Sequence, residues 1–264
     1  MAAMVEPILR VWIKNLSRYN FRQLMREYKE QLNENGFSTT DSLYGDHEIQ
    51  LLKNIIDEWQ ASNMESDGSS QVFSIRRLIK KIPSLLPVLL NDKLKQLVTE
   101  LGGEDFFLVK AIYFDKPENF NWFVSYHQDL SITVDRKHDA SGYTKWTSKH
   151  GQIGVIPPQD ILENIFTIRI HLDDTDNSNG ALRVIPKSHS KGIRKFTELD
   201  ALEKDTEVLC PVNEGEAMLM KPLSFHASSK SNMTHRRRVM HLEFSNQDLK
   251  VPLNWGEKEL LFFR

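Results

Sequence analysis

The sequence predicts an α+β fold with a mainly β core: a double-stranded β-helix of the jelly-roll, cupin-like kind, with N-terminal helices packed outside the barrel. Three observations predict it. Apolar residues recur at helical spacing through the first hundred positions. From Phe106 onward the chain breaks into short β-rich runs separated by turns. One of those runs is apolar on one face and polar on the other, which marks a strand that looks into a pocket.

In chain order, Phe21, Leu24, Met25, Tyr28 and Leu32 make one apolar helical stripe, and Ile49, Leu52, Ile56 and Trp59 make a second. Ala61 to Gln71 is rich in Ser, Asn, Asp and Gly and reads as an exposed loop, after which Pro83 and Pro87 punctuate the chain. Turns at Asp174 to Gly180 and Asn213 to Gly215 separate the later strands. Together these give one domain over residues 1–264, mainly helical to about 104 and a β-helix core over about 105–250. A chain of 264 residues with 40% hydrophobic content can bury one substantial core.

In the strand from Ile165 to Leu172, Phe166, Ile168, Ile170 and Leu172 share one face while Thr167, Arg169 and His171 share the other. A buried, unpaired guanidinium costs several kcal/mol, so Arg169 needs an anionic partner or water. The expectation is that it lines the pocket and meets a carboxylate or phosphate, the alternative being a structural pair with a nearby acid. Lys110, centred in Phe107-Leu108-Val109-Lys110-Ala111-Ile112, poses the same problem, with snorkelling to the surface as its plain answer.

Composition narrows the partners. The formal net charge of −2 and scattered Lys and Arg leave no electrostatic footprint for nucleic acid. The single cysteine, Cys210, excludes an internal disulfide framework. With no long apolar span and no leader pattern, the expectation is a cytoplasmic protein with no membrane contact and a small-molecule substrate.

The chemistry is concentrated in His127-Gln128-Asp129 and in an isolated histidine, His226, that lies 99 positions downstream. Strand periodicity puts His127 and Asp129 on one face, with Gln128, Val124, Tyr126 and Leu130 on the other. Two histidines and a carboxylate on one side of a metal leave the opposite positions open, as a non-haem Fe(II) oxygenase requires to bind cosubstrate and dioxygen. By itself a His-x-Asp is as readily a satisfied polar pair. Arg237, eleven positions past His226, begins a strand whose residues Arg238, Met240, Leu242 and Phe244 take the opposite face. Its planar fork suits one end of a short dicarboxylic cosubstrate whose other end reaches the metal. Arg236 and Arg238 read as a solvated basic turn.

These residues closely resemble the phytanoyl-CoA dioxygenase family of Fe(II)- and 2-oxoglutarate-dependent oxygenases. The family pattern is H-x-D, a distal His followed by a small residue and Ser, and an Arg eleven beyond that His. The likeness extends through Thr167 to Asp174 and Asn179 to His189, and Asn35-Gly36-Phe37 is similar to the family's N-terminal opening. It spans roughly residues 20 to 250. Ala227 and Lys187 stand where the family often has Gly, so the local turns are expected to differ.

The resemblance implies Fe(II) held by His127, Asp129 and His226, with 2-oxoglutarate and O2 as cosubstrates. Ser228 falls on the serine of the distal-histidine motif, and Arg237 on the residue that grips the far carboxylate of 2-oxoglutarate. Lys110 is a candidate because a polar residue on the strand before H-x-D often reaches the cosubstrate in this family, and the Thr167 hydroxyl is a further candidate to bond it. His171 joins Arg169 among the pocket candidates. The implied reaction is hydroxylation of an unactivated C–H bond with release of succinate and CO2. The carboxylate of Asp129 argues against halogenation, since a related halogenase carries a small residue there. The long connection from Thr133 to Asn164, with Tyr143, Trp146, Lys149 and His150, reads as a lid over the site. A non-catalytic metal- or ligand-binding barrel stays open as the alternative. A zinc hydrolase fits less well, because no H-E-x-x-H helix is present and Arg237 would lack a purpose.

Overall fold

The computed structural model describes residues 21–63, 74–116, 123–149, 151–230 and 236–261. A helix over 21–35 (α1) leads into β1 (Phe37–Thr39) and α2 (Asp46–Asn63). β2 (Ser74–Arg76), α3 (Leu78–Lys81), α4 (Leu86–Leu89) and α5 (Asp92–Leu101) follow, α5 capped by the Asn91 side chain, which accepts from Leu94 N at 2.9 Å. The β region then runs β3 (Phe107–Lys116), β4 (Val124–His127), β5 (Ile132–Val134), β6 (Thr144–Lys149), β7 (Gln152–Ile156), α6 (Gln159–Asn164), β8 (Phe166–His171) and β9 (Leu182–Val184). It closes with α7 (Ala201–Asp205), β10 (Val208–Cys210), β11 (Ala217–Met220), β12 (His226–Ser228), β13 (Arg237–Ser245) and β14 (Glu259–Leu260).

Two antiparallel sheets make an open jelly roll. The larger has the order β1-β11-β8-β13-β3-β14, with β2 also on β3, and the smaller the order β10-β9-β12-β4. Alternation along β8 decides what each face meets. Phe166, Ile168 and Ile170 join Leu52, Ile56, Leu94, Leu97 and the α1 residues Met25, Tyr28 and Leu32 in one core, so the helices cover the outer face of the large sheet. Each such side chain contributes about 1.5–3 kcal/mol of burial. The opposite face looks toward the small sheet. There Met218 and Met220 of β11 meet Leu182 and Val184 of β9 and seal one side with apolar side chains, leaving the remaining inner face polar.

The register sets out that polar face in rows. Lys110, Glu243, Thr167 and Met220 lie across from one another; the next row is Ile112, His241, Arg169 and Met218; then come Phe114, Val239 and His171, and last Lys116 and Arg237.

Three features differ from the sequence reading. β1 and β2, of three residues each, lie inside the part read as helical, where they pair with β11 and β3; runs so short carry no readable alternation. The connection from Thr133 to Asn164 is mostly a sheet of its own, β5-β7-β6, followed by α6. Its β6 carries exposed polar residues at nearly every position, so an amphipathic pattern is missing. Arg236 and Arg238 are paired rather than free in solvent: Arg236, still partly exposed, grips the buried Asp115 through Nε and Nη2, and the largely buried Arg238 places Nε and Nη2 at 2.9 and 2.7 Å from Asp173. Of the loop read at Ala61 to Gln71, residues 64–71 lie outside the described residues, as does His150. Among the described residues no helix is long and apolar enough to cross a membrane.

Candidate metal centre and its pocket

The cross-strand pair His127↔His226 brings the two imidazoles together, with ring centres 4.3 Å apart. Asp129 follows the end of β4, where its N–H donates to Pro222 O at 2.8 Å. Between the two ligands Gln128 points the other way and is fully engaged: its amide donates to Gly192 O and Leu223 O, and its carbonyl accepts from Arg194 N. This anchor fixes the turn that aims Asp129. Tyr126, on the same side, stacks on Phe196 with centres 4.4 Å apart.

Asp129 Oδ1 lies 3.7 Å from His127 Nε2, and Oδ2 lies 3.7 Å from His226 Nε2. One ligand atom from each of the three residues falls within 4.8 Å of the others. Each histidine has its Nδ1 beside the carbonyl two residues earlier, Ser125 O at 2.8 Å and Ser224 O at 3.0 Å. A carbonyl only accepts, so Nδ1 carries the proton and Nε2 presents a bare lone pair to the cluster. Burial pushes His226 down to about 4, which keeps it a neutral ligand at physiological pH. Burial alone would raise Asp129, but the imidazoles of His226, His241 and His127 and the ammonium of Lys110 that surround it outweigh burial and hold the carboxyl below its usual range. Two neutral imidazoles and one carboxylate are the donor set of an open Fe(II) site.

Behind the cluster the inner face supplies cations and unmatched polar atoms. Arg237 Nη1 donates to Gly180 O and lies 3.4 Å from Ser228 Oγ, which itself donates to Gly180 O at 2.8 Å. Burial, then the charge of Arg169, pulls Arg237 below its ordinary value. Thr167 Oγ1, Arg169 Nε, His171 Nε2 and Arg237 Nε are all buried without a partner. Leaving such groups unmatched costs about 1–3 kcal/mol each, so the pocket is built for a polar, anionic guest, and 2-oxoglutarate fits it. His171 is tied through Nδ1 to Thr175 Oγ1 at 2.8 Å, and burial with the charges of Arg169 and Arg237 keeps it neutral.

The structure thus gathers His127, Asp129 and His226 at one end of the pocket, with Arg237, Ser228, Thr167, Arg169 and His171 along it. Lys110 is engaged elsewhere, donating to Glu243 Oε1 and Ser131 O at 2.7 Å each. Tyr143 is 6% exposed in a core with Ile132, Val155 and Trp255, and Trp146 packs against that core from outside. Sequence reasoning passed over Glu243 and Lys116 and left His241 as a residue of the surface or of the site's surroundings. The signal was the inward parity of Arg237, since β13 continues through Val239, His241 and Glu243 on the same face, and Lys116 sits opposite Arg237 on β3.

Fold and site together define a non-haem, Fe(II)- and 2-oxoglutarate-dependent oxygenase. Residues 32–240 match the model of the phytanoyl-CoA dioxygenase (PhyH) family, and the chain belongs to that family. No curated protein matches it in sequence. Solved structures share the fold. EctD from S. alaskensis, with 2-oxoglutarate and 5-hydroxyectoine, superposes with a TM-score of 0.62 at 15% identity over 82% of this chain and 74% of that one. The carbocyclase SnoK from nogalamycin biosynthesis gives 0.60 at 14% identity over 84% of each. HygX from Streptomyces hygroscopicus, with nickel and 2-oxoglutarate bound, gives 0.60 at 14% over 83% and 86%.

Proposed function

We propose that this chain, as one domain over 1–264, hydroxylates an unactivated C–H bond of a small-molecule substrate. The observation that carries the reading is the convergence of His127, Asp129 and His226, with both Nδ1 atoms locked by carbonyls and a buried arginine set back from the cluster. When bound, Fe(II) and 2-oxoglutarate supply the activation of O2, the cosubstrate leaving as succinate and CO2. The protein's part is placement. His127 and His226 offer Nε2 and Asp129 a carboxylate oxygen to the metal; Arg237, with Ser228 beside it, takes the far carboxylate of 2-oxoglutarate. His171 Nε2, one row from Arg237, is a further buried partner for that carboxylate, and Thr167 Oγ1, three rows from Arg237, for an oxygen nearer the metal end. The β5-β7-β6 sheet, with Trp146 on its surface, serves as the lid that excludes water, while Tyr143 holds that lid to its core. Since Asp129 occupies the third ligand position, no place is left there for a halide. A reducing, cytoplasmic setting suits the lone buried Cys210.

Anaerobic visible absorbance tests this directly: Fe(II) and then 2-oxoglutarate are added to metal-free protein. A metal-to-ligand charge-transfer band that weakens in Asp129→Ala and Arg237→Ala supports the reading. Absence of the band in folded wild-type protein rejects it in favour of a non-catalytic barrel.

A further inference from the structure

Arg169 is the second buried guanidinium of the pocket, and its surroundings are unlike those of Arg237. Its Nη1 lies 3.0 Å from His241 Nδ1. Because a guanidinium only donates, Nδ1 accepts, and the ring proton of His241 sits on Nε2, 3.0 Å from Glu243 Oε1. The same carboxylate oxygen takes Lys110 Nζ at 2.7 Å. Lys110, Glu243, His241 and Arg169 therefore form one continuous chain across three strands, half-buried at Lys110 and buried beyond it, and its one carboxylate, Glu243, is matched by Lys110 rather than by Arg169. Phe114 braces both ends of the last link: its ring centre is 6.0 Å from the Arg169 guanidinium and 6.1 Å from the His241 ring.

Position gives this arrangement its meaning. Arg169 is 8% exposed, its Nε has no partner, and it shares the inner face of β8 with Thr167 and His171. Along that face His171 and Val239 form the next row and Arg237 the one beyond it, while in the other direction the chain through His241 and Glu243 leads to Lys110. It lies between the metal end of the pocket and the arginine that takes the far carboxylate.

We propose that Arg169 is a second guanidinium for the cosubstrate, reading the carboxylate at its metal end, and that His241 and Glu243 are positioning residues that hold Arg169 for this task. The inference rests on the oxygenase reading above and adds to it that the two ends of one dianion are read by two arginines. A single ring proton on His241 polarises the link in one direction, so the guanidinium is offered only to a group that accepts. Asp129 is committed to the metal, and the group left to satisfy Arg169 arrives with the ligand.

Equilibrium binding to Fe(II)-loaded protein without oxygen separates the two arginines, using 2-oxoglutarate and oxalate as probes; oxalate reproduces the metal end and lacks the far carboxylate. Arg169→Gln is expected to weaken both probes by about 10- to 100-fold, the loss for a charge-assisted pair. Arg237→Gln should weaken 2-oxoglutarate by a similar factor yet leave oxalate within about 3-fold. His241→Leu should behave as Arg169→Gln, whereas His241→Asn, which keeps an acceptor at the Nδ1 position, should recover most of the affinity. If Arg169→Gln fails to fold by circular dichroism, Arg169→Lys, which keeps the charge and loses the fork, gives the same reading with a smaller loss. The proposal is overturned if Arg169→Gln leaves both probes unchanged, if it alters only the affinity for the primary substrate, or if His241→Leu and His241→Asn are indistinguishable. Wild-type protein that binds neither probe would instead defeat the oxygenase reading itself.

Discussion

Arg237 and Ser228 share one acceptor, the carbonyl of Gly180, and the guanidinium and the hydroxyl stand 3.4 Å apart over it. The carbonyl uses up one nitrogen of the fork, while Nε remains free for a ligand. Gly180 makes the arrangement possible: at φ +88° it accepts a left-handed turn, and a Cβ there would meet Ser229 O at 2.8 Å and Ser228 Oγ at 3.0 Å.

Three substitutions therefore grade the far end of the pocket. Arg237→Gln should raise the Kd for 2-oxoglutarate about 100-fold and Ser228→Ala only about 3- to 10-fold, since the serine supplies a single neutral hydrogen bond. Gly180→Ala should combine a loss of affinity with a stability cost of about 1–3 kcal/mol. Titration calorimetry and chemical denaturation measure both. Equal losses from Arg237→Gln and Ser228→Ala would contradict this division of roles.

The metal end answers to a different assay. His127→Ala, Asp129→Ala and His226→Ala are each expected to abolish stoichiometric Fe(II) binding and succinate formation while leaving the far-ultraviolet spectrum of the fold. Turnover surviving any one of them would show that the ligand set is wrong.

Both ends were legible from sequence because their residues keep fixed spacings: His127 with Asp129 two positions on, although Asp129 lies just past the end of β4 and not on the strand, His226 by its isolation, and Arg237 by its distance from His226. The outer helical layer was legible for a related reason, since Leu52 and Ile56 repeat on one helix face and are both buried. Arg169 in the middle was also read as facing the pocket, but the residues that hold it were not. Glu243 and His241 look like ordinary polar residues in an apolar strand until β3 and β8 are laid on either side, which is a matter of register that one strand's pattern does not contain. The strands of the connection that carries Tyr143 and Trp146 were not legible either, for the opposite reason. The helical and strand patterns that served elsewhere are absent from β6, and Tyr143 turned inward to a core formed with the distant Trp255.

Lys187 offers a test of the backbone. It takes φ +62° at a turn where the family often has glycine, and its ammonium makes only an exposed pair with Glu34 at 3.1 Å. The turn is kept, at a conformational cost of about 1–2 kcal/mol for a residue with a Cβ. Lys187→Gly should thus stabilise the fold by about 0.5–1 kcal/mol once the added freedom of the unfolded chain is subtracted. A lowered denaturation midpoint would show that the side chain matters more than the dihedral.

Acid lability should trace to Asp173. Burial raises its pKa, but the hydrogen bonds and charge of Arg238, with Lys53, more than reverse this and hold it below the ordinary 3.8. A carboxyl with a depressed folded pKa contributes stability that is complete above the unfolded value and is lost as pH falls through the folded one. Asp173→Asn is expected to cost about 3 kcal/mol at pH 7, as for one partner removed from a largely buried pair. The gap to wild type should then close as pH is lowered past 4 toward 3. Denaturation curves for the two proteins that stay parallel over this range would rule the pair out as the acid-sensitive element.

Ser224 ties two distant parts of the chain to the same event. Its hydroxyl donates to Gly36 O, 188 positions earlier, and its carbonyl takes the Nδ1 proton of His226. The orientation of the distal ligand is therefore set from the turn that ends the first helix. During synthesis that turn waits for 188 further residues before its partner exists. The aim of His226 is in consequence a long-range product of folding, supported only once segments 188 positions apart have met, and a nascent chain that stops short of Ser224 lacks that support.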